Sequence, residues 1–458
     1  MLDGSIGKQR TFFLIQMLAA KPPITIRTRL RLLVVATQLA LYAIVPALAP
    51  DLPPIWQQIF LSFLFIVGPL AVASLGYMPL GAALVWAIVF GGVTVAVPQG
   101  LHQSFERPSG LDNISSSLGH IVEMAVLLFA CHSFVVAGAS DRRWIANYST
   151  YVRVSWTLAA QILLVVLSAV VLVSGVSTLT GWMGPETEIA GRQDTISVVN
   201  WIVFPALCVI VLTVFELSER RPEAIGAVRT FLMSTLSWSL LPAVVGGAFA
   251  LVQAGLQSNE FWSGSDVPAM LPLSVGCLLL FFNARFRDGQ PERLRLMTAI
   301  RLSAVCLLLA VVLLYGLALV AQYARSRWTP DVVQGAAIFA VMACYGVGYA
   351  IAAVSSGAAM RSVPEINVAA ALLGIALTFA LSTPLLNPTR LAVAYQIARL
   401  ESGEVAPEKF DYELLALHAA PYGRPALERL IKERGGSDAD EVSRRARAAL
   451  RAPAKGGR

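Results

Sequence analysis

From residue 32 to residue 386 the chain is a succession of apolar runs separated by short polar gaps. Roughly 17–25 mostly apolar residues suffice to cross a bilayer as a helix. Eleven runs approach or meet that length: 32–49, 57–76, 78–97, 118–139, 155–178, 197–217, 234–256, 267–284, 302–323, 333–355 and 367–386. The second and third are split only by Gly76-Tyr77, which reads as a tight hairpin. The expected fold class is therefore all-α: a polytopic transmembrane helical bundle of about eleven spans with a small helical C-terminal domain.

Composition agrees. Apolar residues are 56% of the chain and charged residues 14%, against about 25% charge in a soluble globular protein. The formal charge of +7 does not imply nucleic acid, because the basic residues fill the gaps between runs and no nucleic-acid motif accompanies them. With the N-terminus inside, the inner segments hold Lys8, Arg10, Lys21, Arg27, Arg29, Arg31, Arg142, Arg143, Arg153, Arg220, Arg221, Arg229, Arg361 and a cluster at 285–301, whereas the outer loops hold only Arg107, Arg192, Arg325 and Arg327. That asymmetry is the positive-inside pattern and places the N-terminus in the cytoplasm. An odd span count then puts the C-terminal domain on the other side. Nothing at the N-terminus reads as a cleavable signal, so the first span is expected to act as an uncleaved anchor.

Trp56, Trp182, Trp262 and Trp328 fall at outer run ends and Trp144, Trp156 and Trp238 near inner ends, where amphipathic rings favour headgroup depth. Residues 11–20, flanked by basic residues, read as an interfacial helix within a basic N-terminal segment, 1–31. The transmembrane domain covers 32–386, a soluble helical tail 387–450, and a disordered end 451–458. In the tail, Asn387-Pro388 reads as N-cap and first helical residue, and the helix stops at Gly403. Further helices fit 407–419, 424–434 and 438–450. The packing faces are read as Leu391, Tyr395 and Ala398; Phe410, Leu414 and Leu417; and Leu427, Leu430 and Ile431, with the fourth helix largely solvated. Arg399 is expected to hold the first corner through Asp411 or Tyr412.

Few residues carry recognisable chemistry. Glu123 is read as the only acid deep in a run, and His120 precedes it by three, on the same helical face. An ionisable residue inside a membrane is a functional hypothesis by default; the competing reading is that both lie near the outer end of span four and reach water. Ala336, Ala340, Ala343, Gly346 and Ala350 form a small-residue stripe suited to close helix packing. The five cysteines sit singly inside apolar runs and behave as small hydrophobes, which argues against disulfides and structural zinc. No metal, cofactor or catalytic motif is found, and no paired acids occupy an outer loop, which disfavours a lipid-linked transferase.

The stretch 383–400, TPLLNPTRLAVAYQIARL, followed by SGEV, KFDYELL and YGRPALERL, resembles the end of a bacterial family of multi-pass membrane proteins catalogued as domain of unknown function 4153. The likeness runs over about residues 270–435, including the paired final runs at 313–351. The resemblance implies an integral inner-membrane protein with no established activity, and it draws attention to Gln396, Arg399, Asp411 and Tyr412. The expectation is a non-enzymatic membrane protein acting as a scaffold or sensor through its C-terminal domain. Its partners would be the lipid bilayer and a protein docking on that domain. The alternative is a secondary transporter with an ion- or proton-coupled path near Glu123.

Overall fold

The computed structural model describes residues 24–48, 66–102, 112–182, 192–256, 267–286, 295–356, 360–383, 385–433 and 439–451. The expected interfacial helix at 11–20, Trp56, Trp262 and the 452–458 end lie outside these residues.

Among the described residues the chain is helical with no strand. The helices are α1 (Ile24–Leu48), α2 (Gly68–Ser74), α3 (Leu80–His102), α4 (Asp112–Asp141), α5 (Tyr148–Trp182), α6 (Arg192–Arg220) and α7 (Pro222–Leu256). They continue with α8 (Val267–Phe286), α9 (Arg295–Ser326), α10 (Pro330–Ser356), α11 (Val363–Ser382), α12 (Pro388–Glu401), α13 (Ala420–Glu433) and α14 (Ala439–Arg451). Among the described residues, six segments are long and apolar enough to cross a membrane: Tyr148–Val176, Ile202–Arg220, Pro222–Gln253, Thr298–Ala324, Pro330–Ser355 and Val363–Ser382. Leu80–Val93, Ala125–Asp141 and Met270–Phe286 are shorter apolar helices. Large aliphatic side chains such as Val166, Leu167, Val170 and Val171 on α5 point outward, a surface only lipid or another protein would cover. The chain is a multi-pass membrane protein.

One expected loop is absent. Residues 218–233, read as an inner loop, are helix: α6 runs to Arg220 and α7 starts at Pro222. Proline supplies the φ of a first helical residue and lacks the N–H that would go unpaired there. Arg220 and Arg229 therefore project from helices. Pro205, Pro242 and Pro272 lie inside α6, α7 and α8, where side chains and neighbouring helices can satisfy the carbonyls they free.

The chain divides into two compact units: residues 1–95 with 128–233, and 96–127 with 234–458. In the first, α1 packs on α2 and α6, and α5 packs on α6. Its core holds Val35, Val72, Leu158, Phe204, Cys208 and Phe215, with Tyr42 stacked on Phe204 at 4.2 Å between centroids. The turn between α2 and α3 closes through Tyr77 N–H on the Ser74 carbonyl at 2.9 Å, at the expected hairpin.

In the second unit α8, α9, α10 and α11 pack in sequence around Val275, Leu278, Phe282, Leu308, Val312 and Tyr349. A Cβ on Gly346, a member of the small-residue stripe, would stand 3.0 Å from Val312, so the α9–α10 approach uses the missing side chain. A neutral polar group lies in this core, as does the buried Arg301, set over the Phe282 and Phe286 rings. Asn367 donates to Asn283 Oδ1 at 2.7 Å, Asn283 donates to the Tyr349 hydroxyl at 3.0 Å, and that hydroxyl donates to Asn367 Oδ1 at 2.6 Å. The ring of bonds ties α8, α10 and α11 together.

The tail belongs to this second unit and has its own core. Val393, Ile397, Leu400, Phe410, Tyr412, Leu415, Leu427, Leu430, Val442 and Ala446 are buried together. As expected, Asn387 caps α12 by accepting from Arg390 N–H at 3.1 Å, and the chain turns at Gly403, φ +74°. The other expectations need correction. α12 buries Ala392, Val393, Ile397 and Leu400, while Leu391 and Ala398 are exposed, because it is wedged between α10 on one side and α13 on another. The expected helix at 407–419 is a short 3₁₀ turn, Pro407–Lys409, and one π turn, Leu414–His418, after which α13 begins directly at Ala420. Pro421 does not stop a helix; it sits in the first turn of one, where proline is tolerated. The fourth helix is not largely solvated. Val442 and Ala446 of α14 are fully buried against the tail core, and α14 packs on α13.

Candidate functional site

Charge inside the first unit collects at one place. Arg27 and Arg31 lie four residues apart on α1, and Glu216 and Glu219 three apart near the end of α6. Both spacings put a pair on a single helical face, and α1 packs on α6. Arg31, 1% exposed, reaches Glu216 Oε2 at 3.3 Å and Glu219 Oε1 at 2.6 Å, and its Nε donates to the Val72 carbonyl at 3.1 Å. Arg27 lies 2.9 Å from Glu219 Oε2 and donates to the Gly76 carbonyl at 3.4 Å. The Thr28 hydroxyl donates to Glu216 Oε1 at 2.6 Å, and Arg220 Nε donates to the same oxygen at 2.7 Å. Three of the four carboxylate oxygens accept hydrogen bonds, and the fourth, Glu219 Oε2, is met only by the Arg27 charge.

The α2–α3 turn makes room for this. A Cβ on Gly76 would collide with the Glu219 carboxylate and stand 3.1 Å from Arg31 Nη2. On the other flank Gln161 of α5, itself buried, donates to Ser218 at 2.7 Å and hydrogen-bonds Tyr77. Burial pushes the Tyr77 phenol above its ordinary range, and the Glu219 charge adds to that. Four segments, α1, the α2–α3 turn, α5 and α6, therefore converge on one polar layer.

The arrangement suits fastening better than reaction. Buried charges are tolerated when paired, and each glutamate here faces two arginines. Among the described residues no group of three or more His, Cys, Asp or Glu could hold a metal ion.

The residues singled out in the sequence are placed differently. His120 and Glu123 fall in the first half of α4, and their side chains lie outside the described residues. His132 is buried further along α4 and accepts the Trp86 indole N–H at 3.1 Å. Gln396 and Arg399 share one face of α12, where Arg399 Nη1 donates to Gln396 Oε1 at 3.4 Å. The partner of Arg399 at the corner is Glu404, at 3.0 Å, rather than Asp411 or Tyr412. Gly403 turns the chain so soon that the next acid, in SGEV, arrives first. Asp411 instead accepts the Leu414 N–H at 2.8 Å and caps the π turn. Tyr412 is buried with its ring against Phe410, 4.8 Å between centroids.

Glu123 is not the only acid within an expected run, for Glu216 lies inside 197–217. The basic residues of α1 were read as topology signals, which hid their pairing. The available signal was the combination of an i,i+4 arginine pair with an i,i+3 glutamate pair, each at the end of an apolar run. Scans against family models, curated proteins and solved structures return no match.

Proposed function

We propose that the chain is a membrane scaffold that holds its C-terminal helical domain against the bundle for a protein partner to read. The observation that carries this reading is the tail's construction. It has a private core, and its first helix packs on α10. The buried Asn387, Pro388 and Thr389 form the junction. A mere linker would need none of this. The closed ion-pair layer in the first unit favours a fixed frame over a moving path.

The finer proposal is a bundle of about eleven spans in a bacterial inner membrane, with the N-terminus cytoplasmic and the tail opposite. It keeps the resemblance to domain of unknown function 4153. A reporter active only in the cytoplasm, fused after Arg458, should stay silent; activity there requires an even span count. For the scaffold itself, a photo-reactive side chain placed at the exposed Leu391 or Arg444 in native membranes should yield one discrete protein adduct. Labelling of lipid alone, together with transport activity lost in Glu123→Gln, would replace the scaffold with a transporter.

A further inference from the structure

The link between α4 and α5 is short, and its tip is not covered. Arg142, Arg143, Trp144 and Ile145 are four consecutive exposed residues; Trp144 is 102% exposed and Ile145 59%. A loop that merely connects two helices would fill such positions with small or polar residues. Here a tryptophan and an isoleucine stand beside two arginines.

The tip is held in place by its base. Arg143 N–H donates to the Gly138 carbonyl at 3.0 Å, folding the chain back over the end of α4. A Cβ on Gly138 would stand 2.7 Å from the Arg143 carbonyl, so only glycine allows this approach. Arg142 takes the left-handed conformation, φ 53°, that reverses the chain. Asp141 then spans the turn, accepting Asn147 N–H at 2.7 Å and the Thr150 hydroxyl at 2.9 Å. The Asn147 amide is the main reason the Asp141 carboxyl lies below its ordinary range, and Arg143 and Arg153 lower it further. The nearest acid is thus committed within the turn.

The loop also lies at a defined depth. The membrane-length segment of α5 starts at Tyr148, three residues after Ile145, and the apolar part of α4 ends at Asp141. The tip therefore sits at the boundary between apolar helix and water, where tryptophan rings favour the headgroup layer.

We propose that residues 142–145 form a preset wedge for anionic lipid headgroups. Trp144 and Ile145 enter the interfacial layer, and Arg142 and Arg143 contact lipid phosphate. Charge complementarity selects the occupant: the tip joins apolar bulk to a net positive charge, two arginines against the single Asp141, as surfaces facing anionic leaflets do.

The test uses the full chain in nanodiscs of phosphatidylcholine and phosphatidylglycerol, with one lipid at a time brominated on its acyl chains. The fluorescence lost in Trp144→Phe isolates the Trp144 signal. The expected result is quenching of that signal by brominated lipid, stronger from phosphatidylglycerol than from phosphatidylcholine at equal content. The double variant Arg142→Gln/Arg143→Gln should keep the quenching and lose the preference, which is worth roughly fivefold per arginine at an anionic surface. All four positions are exposed, so these variants leave the packing intact. Quenching of Trp144 by aqueous iodide with no effect of either brominated lipid overturns the wedge. Equal quenching by both lipids in the wild-type chain overturns its anionic selectivity.

Discussion

The two units fasten their helices with different chemistry. In the first, Arg27 and Arg31 meet Glu216 and Glu219 near the ends of α1 and α6. In the second, Asn283, Tyr349 and Asn367 close a neutral ring between α8, α10 and α11. Both tie three or more segments at a buried point. The charged layer sits beside the α2–α3 turn and the joint at Arg221, where the chain leaves the apolar runs. The neutral ring also lies near run ends, with Asn283 one residue from the end of 267–284 and Asn367 at the start of 367–386. The two also break differently: the charged fastening can lose the arginine that joins both glutamates, whereas the neutral ring loses two uncharged bonds when one member goes.

That contrast orders the variants. Arg31→Met should have the largest effect, because it removes the most buried arginine, the one that bridges both glutamates, and leaves Glu219 to Arg27 and Glu216 to Arg220. Losing one side of a buried pair costs about 3–5 kcal/mol, seen as a large drop in thermal midpoint of the detergent-solubilised protein. A midpoint within a degree or two of wild type, after about that much expected loss, would show that water already reaches the layer. Gly76→Ala comes next, at about 1–3 kcal/mol, since the new methyl displaces the Glu219 carboxylate. If Gly76→Ala and Arg31→Met are combined, the losses should fall short of additive, because both act on Glu219.

Asn367→Ala should cost less, about 1 kcal/mol, since it removes two interhelical hydrogen bonds that average about 0.6 kcal/mol each in membranes. A loss as large as that of Arg31→Met would erase the distinction between the units. Smallest is Glu404→Gln at the tail corner. Glu404 is half exposed, and surface pairs contribute about 0–1 kcal/mol, so melting should scarcely change.

The same physical division explains what could be read from the chain. Apolar runs announced the helices because bilayer length is a one-dimensional constraint. Asn387-Pro388 and Gly403 announced the ends of α12 because capping is local. The packing face of α12 was misread: its period fits two faces, and only α10 and α13, distant in sequence, choose Val393 and Ile397 over Leu391. The charges at the α6–α7 joint suggest a loop in water, yet Pro222 starts a helix at once. The Arg–Glu layer escaped notice because its two halves are nearly two hundred residues apart. Each half alone looks like a topology signal, and only the α1–α6 contact reveals the pairing.

The central claim is that the tail is a domain held on the bundle rather than a tether. Hydrogen exchange on the full chain in nanodiscs tests it most directly. Slow exchange is predicted across 388–401 and 420–433, approaching that of α10, with 439–450 also protected because Val442 and Ala446 are fully buried. Rapid exchange throughout 388–433 would contradict the account and remove the reason for reading this protein as a scaffold.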